Sequence, residues 1–238
     1  MNMRNYVAAG AVLLAIVGPA GAQRKAAEAP KSQESGHGHA GGRGSGGDDR
    51  ADKLGDHEKT AHDFQLPGAD GKGVSLSEYK GKVLLLVNLG SKSSYNDQLP
   101  ALIKLSEEFK EKGLVVIGIP SNEFGAAEPG TDAEIQKRYK TDDKVPFSVM
   151  ARSALTGEQE LPLVEYLTKG KDAPAGGDVH WNYTKFIIDR KGKVIARLDP
   201  DVTPESAEMR STLEEIFAGT FQPKSSPGGR QGGGAPKS

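Results

Sequence analysis

Gly81-Lys82-Val83-Leu84-Leu85-Leu86-Val87-Asn88-Leu89-Gly90-Ser91-Lys92-Ser93-Ser94-Tyr95 is the stretch on which the reading of this chain turns. Residues 83–87 are an unbroken apolar run of branched side chains. A strand with one face in water alternates apolar and polar residues, so this run predicts a strand covered on both faces. Asn96 or Asp97 is placed to cap a helix after it, and Pro100 is tolerated in that helix's first turn. Leu99, Leu102, Ile103, Leu105 and Phe109 form its apolar stripe, and Gly113 stops it.

Working outward, Asp70-Gly71-Lys72-Gly73 reads as a turn, with Val74 and Leu76 leading to Gly81. Residues 114–119 read as a second buried strand. Thr131 or Asp132 caps a helix carrying Ile135 and Tyr139. Residues 145–149 read as a third strand, beginning across Pro146. Leu161, Val164 and Leu167 mark a short helix. Residues 185–188 and 193–198 read as two strands joined by the hairpin-type connection Asp189-Arg190-Lys191-Gly192. Thr203, before Pro204, caps a final helix with Met209, Leu213, Ile216 and Phe217. Strands alternating with helices imply parallel crossovers, and the closing hairpin adds an antiparallel edge. The expected class is α/β: a thioredoxin-like fold with a central mixed β-sheet and helices on both faces.

The ends of the 238-residue chain have a different composition. Residues 1–22 carry Arg4, an apolar run over 6–17, the breaker Gly18-Pro19 and the small residues Ala20-Gly21-Ala22. This is the layout of a signal peptide cleaved after Ala22. The run is too short to cross about 30 Å of hydrocarbon comfortably, and Gln23 stands where a lipoprotein would need cysteine. Export to a periplasmic or extracellular space without a stable membrane anchor is the expectation. Residues 23–59 and 223–238 are poor in large apolar residues and read as a disordered linker and a Gly/Pro/Ser-rich tail around a single domain at 60–222. His37, His39, Asp48, Asp49, Asp52, Asp56, His57 and His62 are metal-ligand types. Nothing in their spacing closes a ligand set, so the segment reads as a solvated linker with no metal. A formal net charge of -1, with no long basic block, argues against nucleic acid as a partner. The chain has no cysteine, so its stability rests on its core and not on disulfides.

Three segments carry a family resemblance. The opening stretch, 81–95, resembles the first signature of the glutathione peroxidases. Gly118-Ile119-Pro120-Ser121-Asn122-Glu123-Phe124-Gly125, followed by Glu128-Pro129-Gly130, resembles the second. Trp181-Asn182-Tyr183-Thr184-Lys185-Phe186, continuing into Asp189-Arg190-Lys191-Gly192-Lys193-Val194, resembles the third. Pro204-Glu205-Ser206 also fits the family's start of the last helix. The likeness runs in order from about His62 to Phe217.

The resemblance implies thiol-dependent reduction of hydroperoxides in defence against oxidative stress, with a hydroperoxide and a thiol reductant as partners and no cofactor. It places the family's cysteine or selenocysteine at Ser93, and its Gln, Trp and Asn at Glu123, Trp181 and Asn182. A helix N-terminus lowers a thiol's pKa, and the thiolate then attacks the peroxide O–O bond to become a sulfenic acid. Serine has no accessible low-pKa anion and no sulfur redox ladder. Glu123 replaces an amide donor by a group that only accepts when ionised and that disfavours a neighbouring anion. Both departures imply that peroxide reduction has been lost, leaving a pseudoenzyme. The resolving cysteine of thioredoxin-dependent members is missing from Ile135-Gln136-Lys137-Arg138-Tyr139, and Ser121 occupies another position that is sometimes cysteine. The short loop between Leu167 and Trp181 is similar to that of monomeric members.

Other readings stay open. Ser93 as a hydrolytic nucleophile needs a base and an orienting partner, for which His180 and Glu123 are the available types; the plainer reading is a serine that caps a helix. Trp181 and Asn182 are either inherited functional groups or a packing ring and a backbone-satisfying amide. An exported thioredoxin-like binding or scaffold domain, for a small molecule or a protein partner, is the alternative to an enzyme.

Overall fold

The computed structural model describes residues 58–171, 173–174 and 176–223. The predicted signal peptide, nearly all of the predicted linker with its histidines and carboxylates up to His57, and nearly all of the tail lie outside the described residues. Among the described residues no helix is long and apolar enough to cross a membrane.

The chain opens with a 3-10 turn at Ala61–Asp63 and a two-stranded antiparallel hairpin, β1 (Gln65–Pro67) and β2 (Gly73–Ser75). The sequence reading found its turn but not its strands, which are only three residues each. A 3-10 turn at Leu76–Tyr79 leads into β3 (Val83–Leu89), and another at Asn96–Gln98 leads into α1 (Leu99–Lys110). There follow β4 (Leu114–Pro120), α2 (Asp132–Gln136) continued by a π-helical turn at Lys137–Asp142, β5 (Ser148–Val149), α3 (Pro162–Lys169), β6 (Lys185–Ile188), β7 (Val194–Leu198) and α4 (Ala207–Ala218). The main sheet runs β5-β4-β3-β6-β7. β3, β4 and β5 are parallel, whereas β6 and β7 are antiparallel additions. The α/β, thioredoxin-like plan expected from the sequence is the observed one.

All seven residues of β3 are buried, because both of its faces are covered. Val83, Leu85, Val87 and Leu89 pack with Leu102, Leu105 and Phe109 of α1 and Met209 and Leu213 of α4. Leu84 and Leu86 pack on the opposite face with Leu163, Val164 and Leu167 of α3 and with Phe64, Leu66 and Leu76 from the opening segment. Each fully buried leucine contributes about 1.5–3 kcal/mol relative to exposure.

Three local expectations need correction. Neither Asn96 nor Asp97 caps α1: they lie in a 3-10 turn, and α1 begins at Leu99 with Pro100 in its first turn. The third strand is two residues long and not five. Pro146 has no N–H for a ladder, and Lys140 Nζ takes the carbonyls of Val145 and Phe147. The last helix is capped by Ser206, whose Oγ accepts from Met209 N–H at 3.2 Å, and not by Thr203, whose carbonyl instead closes a turn with Ser206 N–H at 3.0 Å. Thr131 does cap α2, in a reciprocal box with Glu134.

His62 belongs to the folded domain and not to the linker's polar cluster. It is buried in the opening turn against Gly192, where an added Cβ would lie 2.6 Å from its Nδ1. Burial, assisted by Lys80, pushes its pKa below the usual 6.5, against the opposing pull of Asp189 and Asp63. The native state therefore binds fewer protons than the unfolded chain just below pH 6.5. Stability from the neutral imidazole is complete above that pH and is lost as pH falls through the lower, folded value. Urea midpoints taken at a mildly alkaline and a mildly acidic pH should differ more in the natural protein than in His62→Leu. Equal differences in the two proteins would rule this contribution out.

Candidate functional site

Strand directions bring the three signature segments to one edge of the sheet. β3 and β4 are parallel and end together, Leu89 opposite Pro120, so the segments beginning at Gly90 and Ser121 emerge side by side. β6 is antiparallel to β3 and begins at that edge, Lys185 opposite Val87, so residues 181–184 arrive from the same side. The carboxyl ends of parallel strands are where open α/β sheets place their binding crevices.

Asn88, next to last in β3, ties the corner before β6. Its N–H donates to Thr184 O at 3.0 Å, its carbonyl accepts from Tyr183 N–H at 2.6 Å, and its side-chain Nδ2 donates to Trp181 O at 3.1 Å. The turn after β3 is held from the other side. Lys92 N–H donates to Ala127 O at 2.8 Å, and Ser91 N–H donates to Glu128 Oε2 at 2.9 Å. Glu128 is buried and also accepts from Tyr139 OH at 2.5 Å. Burial and the Glu128 carboxylate push the Tyr139 phenol far up, and burial does the same to Tyr183. The π-helical turn after α2 carries Tyr139 and so connects α2 directly to the turn that presents Ser93.

Ser93 is half-buried, and its Oγ accepts from Tyr95 N–H at 3.2 Å. The serine thus closes the turn that precedes the 3-10 segment; it does not cap α1 itself. Glu123 lies on the neighbouring segment, but its Oε2 accepts from Leu155 N–H at 2.6 Å and from Ser121 Oγ at 3.3 Å. The carboxylate is engaged with the segment ahead of α3, and Ser93 is not among its hydrogen-bond partners. His180 is exposed and is likewise not bonded to Ser93. No relay of the Ser-His-acid kind is assembled.

Trp181 is 44 % exposed, the large apolar side chain that the described residues leave open to solvent, with its indole beside Gly125. Asn182 is fully buried. Its Nδ2 donates to Phe124 O at 2.8 Å, and its Oδ1 packs so closely on Gly90 that a Cβ there would sit 2.6 Å away. Of the four predicted site residues, Ser93, Trp181 and Glu123 reach solvent, Asn182 works as an internal brace, and the Glu123 carboxylate is bonded to the segment ahead of α3.

Sequence reasoning gave Asn88, Glu128, Tyr139 and Lys185 no part in the site. A polar residue in an apolar run was the available signal for Asn88, and a lone acid in Glu128-Pro129-Gly130 for Glu128. A cleft of about 300 Å³ lies between Ser91-Lys92 and α2, bordered by Glu128, Glu134 and Arg138. Among the described residues no group of three or more His, Asp or Glu is arranged to hold a metal.

Residues 61–168 match the family model described as glutathione peroxidase. The chain is 40 % identical over 154 residues to a probable phospholipid hydroperoxide glutathione peroxidase of Mesembryanthemum crystallinum, covering 64 % of this chain and 91 % of that one. It is 37 % identical over 156 residues to a glutathione peroxidase of Lactococcus lactis, covering 66 % and 98 %. Among solved structures, the crystal structure of Trgpx in apo form is 32 % identical, with a TM-score of 0.55 over 68 % of this chain and 97 % of that one. The crystal structure of T. cruzi GPX1 is 28 % identical, with a TM-score of 0.54 over 67 % and 97 %. With its sheet order, its three converging segments and these relatives in agreement, this chain belongs to the glutathione peroxidase family.

Proposed function

We propose that this protein is an exported member of the family in which hydroperoxide reduction has been lost, and that the edge where the three segments meet now serves binding. The observation that carries the reading is chemical: the chain contains no sulfur nucleophile, and Ser93 stands where the family resemblance puts one. Peroxide reduction by this route needs a thiolate that attacks the O–O bond to become a sulfenic acid, whose oxygen then leaves as water when a thiol reductant forms a disulfide with the sulfur. A hydroxyl bonded to a backbone N–H supplies neither step. The resemblance puts Glu123 at the amide donor's position, and its use by Leu155 N–H and Ser121 Oγ supports the same reading. Exposed Trp181 and the cleft beside Ser91-Lys92 favour a binding role over an inert relic. The substrates of the ancestral reaction would be hydroperoxides, including those of lipids that the plant relatives' names specify.

Hydroperoxide consumption with glutathione or with a thioredoxin system should stay at the blank rate for the natural protein, and turnover above blank would sink the inactive reading. Ser93→Cys/Glu123→Gln should show turnover that Ser93→Cys lacks or has only weakly. If both variants are equally active, Glu123 has no separate effect.

Stability separates the two roles of Glu123. Glu123→Ala leaves the part-buried Leu155 N–H without its acceptor and should cost about 1 kcal/mol in denaturant unfolding. Glu123→Gln keeps an accepting oxygen and should cost little. Equal losses in the two variants would exclude the hydrogen bond as the cause.

Export predicts a mature protein beginning at Gln23 and recovered outside the cytoplasm, read by intact mass after fractionation. A chain that keeps residues 1–22 in the cytoplasmic fraction would overturn that part of the proposal.

A further inference from the structure

One buried charge at this edge has no part in the function proposed above. Lys185 opens β6 and is fully buried, yet among the described residues no carboxylate pairs with it. Its Nζ donates to Tyr183 O at 2.9 Å and to Pro200 O at 3.4 Å. Pro200 O also accepts from Gln98 Nε2 at 2.8 Å, in the turn that follows Ser93. Two further bonds run between the same three segments: Tyr183 OH to Asn96 Oδ1 and Tyr95 OH to Asp201 Oδ1, both at 2.8 Å. Tyr183 has φ +63°, a left-handed conformation that a bulky residue keeps only when its surroundings hold it.

We propose that Lys185 is a positioning residue whose ammonium, bonded to the carbonyls of Tyr183 and Pro200, sets the corner carrying Trp181 against the turn carrying Ser93. An apolar side chain would fill the same space without a donor. A lysine there loses its hydration, so the two carbonyl bonds are what its presence adds. The proposal does not depend on whether the protein turns over peroxide.

The geometry has a pH signature. Burial pushes the Lys185 ammonium down from 10.5 to about 8, with Asp201 and Asp199 pulling the other way. These two carboxylates face it from the loop after β7, and Asp97 acts on Tyr183 from the turn before α1. The phenols of Tyr95 and Tyr183 are both pushed above 10. Loss of the ammonium's proton leaves a neutral amine, whose bonds to carbonyls are weaker than charge-assisted ones.

Trp181 is the chain's one tryptophan and reports on the corner directly. The test follows its emission and acrylamide quenching in the full chain from about pH 6.5 to about pH 9.5, a range that brackets a shifted lysine. A His180→Gln background removes the adjacent imidazole from beside the indole. The expected result is a one-proton transition centred near pH 8, with quenching greater on the alkaline side. In Lys185→Met the transition should be lost, and quenching should sit at the alkaline level throughout. Asp201→Asn, an exposed change that keeps an acceptor for Tyr95, should shift the midpoint to lower pH, and it decides the matter if Lys185→Met does not fold. A lysine that merely fills space would alter stability without this profile. No transition in the parent, a transition that survives Lys185→Met, or a midpoint unmoved by Asp201→Asn overturns the proposal.

Discussion

β3 is hydrogen-bonded on one side to a parallel neighbour and on the other to an antiparallel one, with apolar layers above and below. A strand in that position has no freedom of register, because a one-residue slip would exchange the contents of its two faces. The fixed register makes the ends of β3 and β4 coincide and brings the start of β6 to the same edge. Segments far apart in sequence thus arrive at one edge, where bonds such as Ser91 N–H to Glu128 and Asn182 Nδ2 to Phe124 O hold them together. The site is a consequence of strand direction before it is a consequence of side-chain chemistry.

Polar groups take over where the apolar run ends. Asn88 is buried at a point where an unpaired amide would be costly, and it satisfies its backbone groups and its side-chain donor on the corner that holds Trp181, Tyr183 and Thr184. Glu128 holds the other side of the turn by accepting from Ser91 N–H and from the Tyr139 phenol. These bonds place the backbone of Ser93 whatever side chain that residue carries. The scaffold at this turn is therefore independent of the side chain at position 93, since none of its bonds involves the Ser93 hydroxyl. That hydroxyl contributes only a bond within its own turn.

Glu123 and Asn182 show how differently two polar side chains near this edge are used. The Asn182 amide is enclosed between Phe124 and Gly90, and its role is to hold two loops at a fixed distance. The Glu123 carboxylate reaches Leu155, thirty-two residues away in sequence, and fastens the segment ahead of α3. A carboxylate accepts strongly and cannot donate, which suits its bond to the Leu155 N–H.

The sequence by itself determined the order and type of the main elements, because burial on both faces of 83–87 and 114–119 and the helical stripe of 99–109 leave a periodicity that local reading detects. It also determined that no thiol chemistry is available to this chain, since that is a matter of residue type alone. Short elements escaped it: β1 and β2 are too brief for any period to register, and β5 was cut short by Pro146, which has no N–H for a ladder, and by Lys140, which takes the carbonyls of Val145 and Phe147. Caps at α1 and α4 were misplaced because several adjacent residues had suitable side chains, and only the packed turn selects among them. The directions of Glu123 and Asn182, the burial of His62 and Lys185, and the joining of Glu128 to Tyr139 were decided by the tertiary structure. Each depends on a partner distant in sequence or on the shape of the space enclosed, and neither is written in the spacing of residues along the chain.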